Sequence, residues 1–132
     1  MNKSYYNFMI AHDYFTHNME KLIESDSEIK NLIGGLEYLD VSMFKDYDYV
    51  ALGHMHNPQR VGSDNIRYSG SILKYSFSEA NHHKGGLIIE LNKKGELKVE
   101  PVFFAPSHDL RKLKGTYEDN RLHFRPFVPN IF

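Results

Sequence analysis

Short apolar runs that end abruptly at polar residues characterise the first half of the chain. Residues 6–11 form one such run, which stops at His12, and residues 49–52 form another, which stops at Gly53-His54. Runs of this length, with turn residues beside them, are typical of buried strands rather than of helices. We therefore predict two buried strands, each with a histidine at or just beyond its carboxyl end.

The second half of the chain has the pattern of two β-hairpins. Residues 59–61 and 66–68 flank one segment rich in turn-forming residues, and residues 87–91 and 97–100 flank another that contains Gly95. Paired apolar runs around such segments predict antiparallel strands. We also predict a short strand or helix at residues 41–44 and an edge strand at residues 110–114.

Composition narrows the chemistry that is available to the chain. The 132 residues include eight histidines but no cysteine, which excludes disulfide frameworks, zinc fingers, thiol nucleophiles and iron–sulfur sites. Any metal site must therefore use imidazole and carboxylate ligands. The 16 basic and 17 acidic residues give a formal charge of −1, which argues against nucleic-acid binding through charge alone. No apolar stretch approaches the roughly 20 residues of a membrane span, and we expect a cytoplasmic location.

Histidines stand where the two predicted strands end. His54 and His56 lie two residues apart and would point to the same side if the backbone stayed extended. Gly53 permits a sharp turn and leaves room beside the backbone. If the two strands are parallel neighbours, His12 converges with this pair at one edge of the sheet, where ligands usually bind in α/β folds. Such imidazoles suit one or two metal ions. For the isolated pair His54 and His56 we favour the interpretation of two structural loop histidines, and with His12 as a third member a metal site is equally well supported.

Two weaker candidates lie further along the chain. Ser69-Gly70-Ser71 could present hydroxyl and backbone donors to a phosphate, although an ordinary turn is the interpretation we favour. The adjacent His82 and His83 could bind a metal, but a solvated loop is the interpretation we favour.

Three sequence blocks occur in an order that matches a known family. They are YDYVALGHMHNPQ at residues 47–59, IRYSGS at residues 66–71 and KYSFSEA at residues 74–80. Together they resemble the bacterial SbcD nuclease subunits, which belong to the calcineurin-like metallophosphoesterases. GHxH alone is shared by many phosphoesterases, whereas the other two blocks make the match specific. The resemblance covers about residues 8–117.

The resemblance implies a fold, an activity and a set of partners. It implies a strand-rich α/β fold, a partial layered sandwich that forms the carboxyl-terminal part of a nuclease domain over residues 1–118, followed by a divergent tail over residues 119–132. It implies a DNA phosphodiesterase with two Mn²⁺ ions, acting as a 3′ to 5′ exonuclease and single-strand endonuclease in repair and recombination. The implied partners are DNA, an SbcC-like ATPase and, for the full-length family, a second copy in a homodimer.

The resemblance also assigns metal ligands, but it assigns no catalytic residue in this chain. His12 and His54 match ligands of one ion, and His56 matches a ligand of the other. The family's Asp-x-His, Gly-Asp and Gly-Asn-His segments have no counterpart in the sequence. Asp13 is the only plausible stand-in for a bridging carboxylate, because Asp48 lies about 20 Å before His54 along an extended strand. We therefore expect little or no nuclease activity from the chain alone.

Two interpretations of other classes stay open at this point. The chain could be a non-catalytic binding or regulatory module that docks on SbcD or SbcC through an exposed apolar surface, with Val50, Leu52 and the phenylalanine-rich tail as candidates. It could also be a gene fragment without an independent role.

Overall fold

The computed structural model describes residues 4–18, 22–25, 38–116 and 118. The helical elements within these ranges are two short 3₁₀ helices, Val41–Phe44 and Phe77–Glu79. No helix in these ranges is long and apolar enough to cross a membrane. The strands in the same ranges are β1 (Phe8–His12), β2 (Phe15–Thr16), β3 (Leu39–Asp40), β4 (Tyr49–Gly53), β5 (Gln59–Val61), β6 (Ser63–Tyr68), β7 (Gly85–Leu91) and β8 (Leu97–Phe103).

A four-stranded mixed sheet positions the candidate site. Its strand order is β1-β4-β6-β5, with β4 parallel to both β1 and β6, and β5 antiparallel to β6. His12 lies opposite Gly53 in the register between β1 and β4. The two apolar runs are thus parallel neighbours, which is the condition under which His12 converges with the His54 end of β4, and the predicted strand-rich α/β class is confirmed.

Both predicted hairpins are present, and both are longer than the sequence pattern indicated. β5 and β6 meet at a tight turn on Gly62, whose φ of 69° suits a glycine, and β6 begins at Ser63. β7 and β8 form a separate two-stranded sheet of seven residues each, with Gly95 at a φ of 90° in the connecting turn.

The predictions for the carboxyl-terminal part of the chain are not confirmed. The edge strand predicted over residues 110–114 is wrong, since these residues form no strand, and Arg111 to Lys114 lie exposed without a pairing partner strand. The predicted tail, residues 119–132, lies outside the described residues. The division of the chain at residue 118 therefore stays a prediction.

The core lies against the central strand β4. Val50 and Leu52 are buried, so their predicted role in an exposed docking surface is wrong; β4 has a neighbour on each side and its side chains pack into the core. The Tyr68 side chain is fully buried at the end of β6. Its hydroxyl accepts a hydrogen bond from the backbone N–H of Phe15 at 2.6 Å and donates to the Asp13 carbonyl at 2.9 Å. This hydroxyl therefore holds the chain just beyond β1 against the sheet.

Candidate functional site

Gly53 makes room for His12 at the carboxyl edge of the sheet. A Cβ atom on Gly53 would lie 2.5 Å from the Nδ1 atom of His12, so the imidazole lies directly against the glycine backbone. The parallel register places the two residues opposite each other, and His12 itself is exposed. Strand pairing and the missing side chain together fix where this imidazole lies.

His54 follows with an unusual backbone and an unsatisfied ring atom. Its φ of 107° is uncommon for a residue with a side chain and costs about 1–3 kcal/mol. Its ring meets that of His12 at 87°, with the centroids 5.6 Å apart, and also contacts Tyr14. The buried Nε2 atom of His54 has no hydrogen-bond partner among the described residues. A buried polar atom of this kind is costly, and a bound ion is one physical explanation for it.

His56 lies in a different environment from the other two histidines. The expectation that His54 and His56 share one side of an extended strand is wrong, because β4 ends at Gly53 and the positive φ at His54 turns the chain. His56 is partly exposed, packs against Tyr75 with ring centroids 5.3 Å apart, and its Nδ1 atom lies 3.1 Å from the Glu79 carboxylate.

Glu79 is the residue that sequence reasoning missed. It ends the 3₁₀ helix Phe77–Glu79 and is fully buried, where its carboxylate contacts His56 and forms an ion pair with the buried Lys84 at 2.7 Å. A charged residue is seldom fully buried unless it is paired. Its place in the KYSFSEA block was visible in the sequence, but no spacing rule connects it with His56.

The carboxylates considered as metal ligands are engaged elsewhere. Asp13 accepts a hydrogen bond from the backbone N–H of Tyr14 at 2.8 Å. Asp48 lies at the start of β4, where a hydrogen bond from the backbone N–H of Asn7 holds its pKa below the usual value. Among the described residues no group of three or more histidine, aspartate or glutamate side chains is arranged to hold a metal ion. The structure therefore brings His12 and His54 together and leaves His56 in a separate place.

The weaker candidates have structural partners. Gly70 has a φ of 82°, and a Cβ there would lie 2.8 Å from Pro58, so the Ser69-Gly70-Ser71 segment is a turn packed on the GHMHNP segment. The Ser71 hydroxyl accepts a hydrogen bond from Lys84 at 2.8 Å. His83 is exposed and packs against Phe103. These contacts favour the interpretation of both features as structural.

Sequence comparison shows which known proteins the chain resembles. The chain matches no family model. It is 42% identical over 95 residues to the SbcD subunit of the SbcCD nuclease from Staphylococcus epidermidis, which covers 72% of this chain and 25% of that protein. It is 40% identical over 116 residues to the protein of the same name from Staphylococcus saprophyticus, covering 78% of this chain and 30% of that protein. The resemblance to SbcD is confirmed. The chain spans less than a third of the length of each of these SbcD relatives.

Proposed function

We propose that the chain contributes histidine ligands to the two-metal centre of an SbcD-like, Mn²⁺-dependent DNA phosphodiesterase. In this proposal His12 and His54 bind one cation and His56 binds the other. When bound, such paired cations activate a water molecule and stabilise the charge that develops at phosphorus. The chain's own part is to hold three imidazoles at fixed positions near one edge of the sheet.

One observation carries the proposal: the ring of His54, whose buried Nε2 atom has no hydrogen-bond partner among the described residues, lies beside His12 at the carboxyl edge of two parallel strands. Imidazole nitrogen is a ligand that the late first-row metals and Mn²⁺ accept. The strained φ of His54 is the kind of backbone cost that is found at functional sites. The residues present thus fit a divalent cation, although two imidazoles alone make an incomplete coordination shell.

The family's other ligand motifs are not found in residues 1–132, so we propose that DNA cleavage requires ligands from outside these residues. The test mixes the purified chain with Mn²⁺, linear duplex DNA and the amino-terminal part of the Staphylococcus epidermidis relative. We expect no cleavage by residues 1–132 alone, cleavage by the mixture, and its loss in His54→Ala. Robust cleavage by residues 1–132 alone that His54→Ala abolishes would contradict the need for outside ligands.

We further propose that the chain acts on DNA together with an SbcC-like ATPase, in repair and recombination in the cytoplasm, and that the complete assembly is dimeric. The name of the two relatives, which denotes one component of an SbcCD nuclease, supports the SbcC partnership, and the other parts of the proposal follow the family resemblance alone. Co-purification with an SbcC protein at fixed stoichiometry is the expected result. A chain that passes through the same column without SbcC would contradict this partnership.

A non-catalytic docking module is the second candidate, and one observation favours it. β1 lies at the edge of the sheet among the described strands, and Phe8 and Ile10 on it are 57% and 84% exposed. Apolar side chains on an unpaired edge strand are a common site of β-sheet pairing with another chain. Sedimentation of a monodisperse monomer that does not associate with SbcD or SbcC would contradict this role.

A further inference from the structure

A buried polar network surrounds the carboxylate of Glu79. Its Oε1 atom lies 3.1 Å from Ser25 Oγ, 3.1 Å from His56 Nδ1 and 3.2 Å from Ser76 Oγ. Its Oε2 atom accepts from the backbone N–H of Tyr75 at 3.2 Å and pairs with Lys84 at 2.7 Å. The Glu79 side chain has no solvent-exposed surface, so its charge must be compensated by the groups around it.

Lys84 completes the network and fixes the charge state of Glu79. Its ammonium group donates to the His56 carbonyl at 2.9 Å and to Ser71 Oγ at 2.8 Å, in addition to the pair with Glu79. These contacts use all three ammonium hydrogens. A buried carboxylate at 2.7 Å from such a group is stable in its ionised form, because each charge compensates the other.

The charge state of Glu79 determines which nitrogen of His56 carries the proton. An ionised carboxylate can only accept hydrogen bonds, so the Nδ1 atom of His56 must be the donor in their contact. A neutral imidazole that is protonated on Nδ1 has its lone pair on Nε2. Carboxylates that hold metal-binding histidines in this way commonly set both the tautomer and the ring orientation.

We propose that Glu79 is a positioning residue that fixes His56 in the Nδ1–H tautomer and thereby presents its Nε2 lone pair to a divalent cation. This inference rests on the proposed function of His56 as a metal ligand. Lys84 supports the same arrangement, because it compensates the charge of Glu79 and donates a hydrogen bond to the His56 carbonyl. Ring and backbone of His56 are thus both held by one ion pair.

The tautomer can be read directly by long-range ¹H–¹⁵N NMR of the full chain. We expect His56 to carry its proton on Nδ1 in the unaltered chain and to shift towards the Nε2–H form in Glu79→Leu, which removes every acceptor from this side chain. In a Mn²⁺ titration, broadening of the His56 ring signals should require at least about tenfold more Mn²⁺ in Glu79→Leu. The signals of His12 and His54 should broaden at an unchanged concentration.

Two further variants separate positioning from folding. Glu79→Leu leaves Lys84 without its counter-charge, so the double variant Glu79→Leu/Lys84→Met removes both charges and should show the same tautomer shift. Ser76→Ala removes a different donor to the same oxygen and should leave the tautomer as it is. An Nε2–H tautomer in the unaltered chain, or a retained Nδ1–H tautomer in both Glu79 variants, would overturn the inference. If Mn²⁺ broadens no histidine signal, the proposed function fails, and the tautomer spectra still decide whether Glu79 sets the protonation of His56.

Discussion

Gly53→Ala should displace the His12 side chain while leaving the stability of the sheet nearly unchanged. The new Cβ would lie 2.5 Å from His12 Nδ1, and ordinary contact begins near 3.4 Å, so the imidazole must move by about 0.9 Å. Metal–ligand distances tolerate only about 0.2 Å. A displacement of this size therefore removes His12 from any coordination geometry that it shares with His54.

The same substitution should cost little stability. Alanine is favoured over glycine inside a strand by roughly 0.5–1 kcal/mol, and this gain offsets part of the clash with an exposed imidazole ring. We expect the free energy of unfolding to change by less than about 1 kcal/mol. Binding of Mn²⁺ should nevertheless weaken about tenfold or more, because substitutions that disturb the residues around a metal ligand commonly have an effect of this size.

The assay is a Mn²⁺ titration followed by paramagnetic broadening of the His12 and His54 ring signals, alongside urea unfolding of the same samples. Gly86→Ala is the matched control, because a Cβ there would meet nothing closer than a Phe104 ring atom at 3.8 Å. Equal broadening in Gly53→Ala and in the unaltered chain would refute the argument. A loss of several kcal/mol in stability would show that Gly53 is needed for folding rather than for room beside His12.

Three further predictions concern the frame of the site. Tyr68→Phe leaves the buried N–H of Phe15 without its partner and should lower the free energy of unfolding by about 1–3 kcal/mol in urea. The pKa of Asp48 is lowered in the folded chain, so its contribution to stability is present above the usual value of 3.8 and is lost as the pH falls through the lower folded value. Asp48→Asn should lack that part of the acid dependence in urea titrations from about pH 5 downwards. Gly85→Ala would place a Cβ 1.9 Å from the Val102 carbonyl oxygen and should cost about 1–3 kcal/mol or more in thermal or urea unfolding.

Each of these predictions has a control in the same chain. Tyr75→Phe alters a tyrosine that is 63% exposed and should leave stability nearly unchanged. Asp46→Asn removes an exposed carboxylate and should preserve the acid dependence that Asp48 gives. Gly86→Ala tests the same hairpin as Gly85→Ala without the backbone clash. If a control matches its test variant, the contact named for that variant does not explain its effect.

The apolar runs were sufficient to predict the buried strands β1 and β4, whereas the order of the sheet came from the structure. Residues 49–52 are uninterrupted apolar residues, which suits a strand buried between two neighbours, and β4 has that place. The alternation on either side of Gly95 likewise predicted β7 and β8. The failure over residues 110–114 has the opposite cause: a strand needs a partner, and nothing local in a sequence reveals whether an edge is available.

The positions of the site histidines could be predicted only where the backbone is a regular strand. Two apolar runs that each end at a histidine predicted two strands with histidines at or beyond their ends, and the register that brings His12 to Gly53 came from the structure. The φ of 107° at His54 could not be predicted, since it depends on contacts made after the strand ends. Glu79 and Lys84 were missed for a related reason, because their pairing joins segments that are 23 and 28 residues from His56 and no periodicity relates them.

The two groups of histidines, His12 with His54 and His56 by itself, are therefore held in place by different interactions. His12 is held by strand register and by the absence of a side chain at Gly53, and His54 by the backbone turn that follows β4. His56 contacts the buried ion pair of Glu79 and Lys84, and removing one member of such a pair leaves an uncompensated buried charge. The first group therefore depends on backbone geometry and the second on buried charge. Substitutions that weaken the ion pair should disturb the second without moving the first.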